Sequence, residues 1–140
     1  MNNQHNKGMT LIEVMIVVVI VGIIASIAYP SYQNSVIRAN RSAATGCLLE
    51  LSQFMERLYT QNMTYAPDPA VALPALTCRN DLTERYTFVF SSRAARAYTL
   101  AAQPTAIQKD SECGVLTLDQ TGAKGALNGA AGLAVVRKCW

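Results

Sequence analysis

The sequence predicts an α+β protein: a long N-terminal helix, membrane-spanning in its first half, packed through its second half on a small antiparallel β-sheet. Three observations carry that expectation. Val14 to Ala25 reads VMIVVVIVGIIA, without a single charge. Apolar residues then recur at three- and four-residue spacing as far as Leu58. Beyond them lie short segments rich in strand formers, separated by polar or turn-forming residues. A chain of 140 residues has room for one such domain and an anchoring segment, not for two independent cores.

Met9, Leu11, Ile12, Ile27, Ala28 and Tyr29 extend the apolar run on both sides, so residues 9–29 form the expected anchor. About 20 apolar residues at a rise of about 1.5 Å each cross a bilayer core. Lys7 before the run favours a cytoplasmic N-terminus, whereas Arg38 and Arg41 beyond it oppose a simple positive-inside rule. Pro30 is expected to kink the helix rather than end it, because its ring removes one backbone hydrogen bond and crowds the preceding turn.

Residues 30–62 then continue as an amphipathic helix. Val36, Ile37, Ala43, Ala44, Cys47, Leu48, Leu51, Phe54, Met55 and Leu58 form one face, with Arg41, Glu50, Gln53, Glu56 and Arg57 mostly between them. Asn62 is the expected helix end, and Pro67, Pro69 and Pro74 exclude a helix soon after it. Residues 63–140 supply the sheet domain. Its first part, Met63 to Glu84, is a proline-punctuated connection containing Cys78. Strands are expected at Tyr86–Phe90, Tyr98–Ala101 and Val115–Leu118, with a fourth near Leu133 to Val136. Their aromatic residues are expected to be core, not ligand-binding.

Composition excludes several functions. The only histidine is His5, no catalytic or nucleotide-binding motif is present, and no cofactor is implied, so an enzyme is not expected. Cys47, Cys78, Cys113 and Cys139 stand far apart with no C-x-x-C pair, which argues against zinc and for disulfides in an oxidising compartment. The four permit three pairings. Formal charge is +3, falling to about two positive charges once Lys7 is removed, too little to name a partner.

Two details set the anchor apart. Glu13 lies just inside the apolar run, where a carboxylate carries a desolvation cost of roughly a few kcal/mol and must find a partner or lose its charge. The leader MNNQHNKG has no apolar stretch and directly abuts Met9, the reverse of a secretory signal, in which the apolar stretch is itself removed. Two rival readings remain: cleavage after the small-x-small pattern Ser26, Ile27, Ala28, against which Glu13 argues, and an uncut single-pass anchor.

Lys7-Gly8-Met9-Thr10-Leu11-Ile12-Glu13, followed by the apolar run and Ala28-Tyr29-Pro30-Ser31-Tyr32, resembles the class III signal of type IV pilins and type II secretion pseudopilins. Glu56-Arg57-Leu58-Tyr59-Thr60-Gln61-Asn62, Thr64-Tyr65 and Cys139-Trp140 resemble the minor pilins of the PilE family. The resemblance implies the type IV pilin fold. It implies that residues 1–8 are a leader removed by a prepilin peptidase between Gly8 and Met9, with N-methylation of Met9; most members carry Phe there. Glu13 would then neutralise the new amine of an adjacent subunit, the rival being a carboxylate that snorkels to the interface without a role.

Gly22, with Ala25, Ser26 and Ala28, permits close helix packing, so Glu13, Gly22 and Pro30 are the expected assembly residues. Among the three pairings, lower closure entropy favours Cys47 with Cys78 and Cys113 with Cys139, and the resemblance supports the second bridge more than the first. The implied partners are other pilins in a helical filament, the peptidase, an inner-membrane assembly platform and, before assembly, inner-membrane lipid. The implied location is the bacterial inner membrane with the C-terminal domain in the periplasm, then a cell-surface pilus serving motility or adhesion. A type II secretion pseudopilin is the alternative. So is a competence pilin binding DNA through Arg79, Arg85, Arg93, Arg96, Lys109, Lys124, Arg137 and Lys138, although Asp81, Glu84, Asp110, Glu112 and Asp119 dilute that charge.

Overall fold

The sequence Thr10-Leu11-Ile12-Glu13 is a helix-start signal, and in the computed structural model, which describes residues 9–68, 70–129 and 132–140, it opens the principal helix. The amide of Glu13 donates to Thr10 Oγ1 at 3.3 Å, and helix α1 runs from Leu11 to Asn62. It continues through Pro30. It stops where expected: the Asn62 side chain donates back to the Leu58 carbonyl at 3.0 Å, and Met63 takes the left-handed conformation (φ 55°) that closes a helix. The chain divides into two units, Met1–Val36 and Ile37–Trp140.

In the second unit α1 buries Arg41, Ala44, Cys47, Leu48, Leu51, Met55 and Leu58. Spacings of three and four put these residues on one stripe. Ala43 is exposed, while Val36, Ile37 and Phe54 are half-buried at the margins. Arg41 was expected among the polar residues between the apolar positions; it is instead on the stripe, 6% exposed, for a reason given below.

The stripe packs against a four-stranded antiparallel sheet of order β1-β2-β3-β4. The strands are β1 (Tyr86–Arg93), β2 (Tyr98–Pro104), β3 (Leu116–Asp119) and β4 (Lys124–Gly125). Register places Phe88 opposite Ala102 and Ala102 opposite Leu116, and likewise Phe90 opposite Leu100 and Leu100 opposite Leu118. Those two rows, with Tyr86 and Tyr98, form the sheet side of the core. The pairing of β1 with β2 is interrupted between Phe90 and Ser92, leaving Ser91 unpaired.

Two elements differ from expectation. Leu133 to Val136 is not a strand but the start of helix α3 (Leu133–Cys139); a short apolar run does not distinguish the two by pattern, and here it must carry Cys139 back to Cys113. The fourth strand is Lys124–Gly125, poor in strand formers and paired through the preceding turn. In that turn Asp119 Oδ1 accepts from the Thr121 amide (2.8 Å), the Thr121 hydroxyl (2.6 Å) and the Ala123 amide (3.0 Å). The proline-rich connection also contains a short helix, α2 (Thr77–Asp81), which carries Cys78.

Disulfides join Cys47 to Cys78 and Cys113 to Cys139. The first ties α2 to α1, and the second ties α3 to the segment before β3. Trp140 adds to the second, its indole N–H donating to the Gly125 carbonyl at 2.8 Å. Replacing Cys113 and Cys139 together by serine is expected to cost about 3.5 kcal/mol, the chain-entropy value for the 26-residue separation of the pair. The shift of the urea midpoint between the double variant and the parent chain measures it.

Candidate functional site

Every described residue from Met9 to Ser35 is exposed, including Ile12 (67%), Ile20 (50%) and Ile27 (70%). The helix is long and apolar enough to cross a membrane, and none of its most apolar window is covered by the rest of the chain. Glu13 is the only charged residue between Met9 and Ser35. It occupies the third helical position after the Thr10 cap, where a carboxylate meets the positive end of the helix dipole, so the helix itself gives the residue a favourable place. Ser26 hides its hydroxyl by donating to the Ile23 carbonyl at 2.7 Å.

Gly22 has open space around it, and nothing among the described residues requires glycine there. Pro30 lies inside the helix, Met9 is exposed, and Gly8 lies outside the described residues.

The globular unit is organised by a polar network that the sequence pattern missed. Arg41 Nε donates to Asp110 Oδ2 at 2.7 Å and Arg41 Nη2 to Asp110 Oδ1 at 2.8 Å, a two-pronged pair closed off from water. Asp110 also accepts from the Tyr86 hydroxyl (3.0 Å) and the Cys113 amide (3.1 Å). Gln108, fully buried, donates to the Ile37 carbonyl at 2.9 Å and accepts from Asn40 at 3.2 Å. Glu112 meets Arg41 Nη2 at 3.4 Å and pairs with Lys138 of α3. A basic residue three and seven positions before Ala44 and Leu48 was the available signal, because that spacing puts Arg41 on the buried stripe.

Burial pushes the Asp110 carboxyl up, but the Arg41 guanidinium, the Cys113 amide and the Tyr86 hydroxyl outweigh it and hold the group below the usual carboxylate range. Burial raises the Tyr86 hydroxyl, and the neighbouring Asp110 charge raises it further.

A second polar cluster fixes the far end of α1. The Glu56 carboxylate accepts from the Tyr65 hydroxyl (3.0 Å) and from the Tyr98 hydroxyl (3.3 Å), while Tyr65 packs on Tyr59 and Tyr98. Burial and the Glu56 carboxylate push the Tyr65 hydroxyl up to about 12.

The eight basic residues of the DNA-binding alternative do not form one free surface among the described residues. Arg79 donates to the Leu73 and Pro74 carbonyls. Arg93 donates to those of Tyr65 and Val71 and lies 4.7 Å over the Phe90 ring. Arg93 thereby holds the connection against β1 and Arg79 ties it to α2, beside a concavity of about 480 Å³ lined in part by Val71, Leu73 and Phe88. Lys138 pairs with Glu112, and Lys124 lies 5.1 Å over Trp140. Arg96, Lys109 and Arg137 are exposed and Arg85 is half-buried.

Residues 3–29 match the model of the prokaryotic N-terminal methylation motif. Residues 30–117, more than half of the chain, match the model of the type IV minor pilin ComP, DNA uptake sequence receptor. The chain belongs to the type IV pilin family. This pilin is a structural protein and not an enzyme.

It is 39% identical over 77 residues to the fimbrial protein EcpC of Eikenella corrodens, covering 55% of the pilin and 50% of EcpC. It is 55% identical over 42 residues to the type IV major pilin PilE1 of Neisseria gonorrhoeae, covering 30% of the pilin and 26% of PilE1. The matched regions thus span half or less of these relatives. Among solved structures, a type IV pilin from Shewanella oneidensis aligns with a TM-score of 0.52 and 27% identity over 74% of this pilin and 97% of that chain. The non-core minor pilin PilV of Neisseria meningitidis aligns with a TM-score of 0.50 and 25% identity over 70% and 93%. The long helix on a four-stranded antiparallel sheet is therefore the pilin architecture.

Replacing Arg41 by methionine strands the buried Asp110 charge and is expected to cost about 3–5 kcal/mol at neutral pH. The folded Asp110 pKa is depressed, so its stabilisation is present above the ordinary carboxylate value of about 4 and is lost as pH falls through the folded value. Urea midpoints of the parent and of Arg41→Met, taken from pH 7 down to pH 2, should converge in acid.

Proposed function

We propose that this pilin is a minor subunit of a type IV pilus. It is cleaved between Gly8 and Met9, methylated at Met9, and held in the inner membrane with its C-terminal domain in the periplasm. It then enters a helical filament through its apolar helix, supporting piliation and the motility or adhesion that depends on it. The observation that carries this reading is the continuous exposed apolar surface from Met9 to Tyr29 with Glu13 as its one charge. Such a surface needs lipid before assembly and neighbouring helices after it. A cationic N-terminal amine from an adjacent subunit supplies the partner that Glu13 lacks among the described residues. The minor role is supported by the ComP model and by the likeness to PilV, both described as minor pilins. Relatives described as major pilins share shorter stretches.

Mass spectrometry of sheared filaments tests the reading. The expected result is a scarce chain beginning at methylated Met9, with Glu13→Gln inserting in the membrane normally but entering filaments several-fold less. A chain beginning at Tyr29, dominance in the filament, or unchanged entry of the processed Glu13→Gln variant would each overturn its part of the proposal.

A second reading, DNA capture by the globular unit, is favoured by the family model, whose description names a DNA uptake sequence receptor. Exposed Arg96, Lys109 and Arg137 with half-buried Arg85 are the residues available for phosphate contact. Binding through them is expected to weaken as salt rises, log affinity falling with log salt by a slope of about 3.6 for four contacts to duplex DNA. Fluorescence anisotropy with a labelled duplex at several salt concentrations measures that slope. Affinity that does not fall with salt would remove this reading.

A further inference from the structure

The chain enters the globular unit at Ile37, and the side chains gathered there form a rim of defined chemistry. Gln108 bonds the Ile37 carbonyl and Asn40, and Asp110 grips Arg41, which together bring the loop 105–110 against the first turns of helix in this unit. The Thr105 amide donates to the Arg85 carbonyl at 2.9 Å and its hydroxyl to the Glu84 carbonyl at 2.6 Å, drawing residues 84–85 alongside. Lys109 stands between buried Gln108 and buried Asp110 with a φ of 45°. That left-handed backbone lets its two neighbours turn inward while Lys109 remains exposed.

The outward groups on this rim are Arg38, half-buried Arg85, Lys109 and Ile107, which is 58% exposed. Glu84 is the exposed acid beside them, which leaves an excess of about two positive charges. None of the three basic groups joins a salt bridge among the described residues.

We propose that this rim is a lipid-contact surface. In it, Arg38, Arg85 and Lys109 meet the phosphates of anionic phospholipids, and Ile107 enters the headgroup boundary. The inference rests on the membrane-anchored state proposed above. Ile37 follows Tyr29, the last residue of the apolar run, by eight residues, about 12 Å of helix. That reach carries the chain through the headgroup layer and leaves its basic groups within about a Debye length of the membrane surface. Basic side chains beside a spanning segment are attracted to anionic lipid, and an exposed isoleucine among them is better covered at the interface than in water. The rim then rests the domain on the membrane before assembly and releases it when the helix leaves the bilayer.

Hydrogen–deuterium exchange on the full processed chain in nanodiscs tests this. Discs of pure phosphatidylcholine are compared with discs containing phosphatidylglycerol, for the parent and for the triple variant Arg38→Gln, Arg85→Gln, Lys109→Gln. In phosphatidylglycerol the amides of residues 105–110 should exchange about tenfold more slowly, with 0.5 M salt or the triple substitution removing the protection. Amides of the β2–β3 pairing, which are not on the rim, should be unaffected, which reports that the variant is folded. Exchange independent of lipid charge in chains that insert normally would overturn the rim proposal while leaving the anchored reading intact. Failure of the chain to insert would overturn both. Loss of salt-sensitive DNA binding in the triple variant without lipid-dependent protection would assign the rim to nucleic acid instead.

Discussion

A buried, two-pronged ion pair between Arg41 and Asp110 is the contact on which the globular unit depends. It joins the helix to a loop 69 residues away in sequence and is closed to water on both sides. A guanidinium inside a core is tolerated only when its donors are met, and here Asp110 meets Nε and Nη2 while Glu112 takes the margin. The same carboxylate accepts from Tyr86 at the start of β1 and from the Cys113 amide ahead of β3. One anion thereby sets the distance between helix, sheet and the C-terminal disulfide.

The other restraints divide the remaining work. Apolar burial supplies non-directional attraction between the α1 stripe and the two cross-strand rows, which does not by itself choose a depth along the helix. Directional contacts do. Arg41 fixes one end of the interface and Glu56, with Tyr65 and Tyr98, fixes the other, each joining α1 to the sheet or its flanking turns. The two disulfides act on segments that regular structure does not hold, the connection after α1 and the chain end. Arg79 and Arg93 complete the connection by donating to its carbonyls, which withdraws two of the eight basic residues from any shared binding face.

The N-terminal unit follows the opposite logic. From Met9 to Tyr29 its surface is apolar on every side, with no stripe of the kind that directs a helix onto a core. Its internal hydrogen bonds, including the Thr10 cap and the Ser26 hydroxyl, leave little polar surface for water to hold. Glu13 is both the acidic residue of the first helical turn and the one charge available to an external cation. The sequence thus separates a part that completes its own core from a part whose burial must come from outside.

The sequence by itself determined the elements whose signals are local. An uncharged apolar run specifies the first half of α1, a three-and-four spacing specifies the stripe, Asn62 marks the end, and strand formers at Tyr86, Tyr98 and Leu116 mark three strands. The leader motif and the later segments pointed to the pilin family because residue type and spacing survive in the primary sequence. Tertiary structure decided what depends on distant partners. Leu133 to Val136 became helix because the segment had to deliver Cys139 to Cys113, and Lys124–Gly125 became the fourth strand because a turn presented it to β3. Arg41 moved from solvent to core because Asp110 was waiting there, and the rim around Ile37 exists because loop and helix meet at Gln108. Periodicity records which face of an element is apolar; it does not record which distant side chain will satisfy a charge placed on that face.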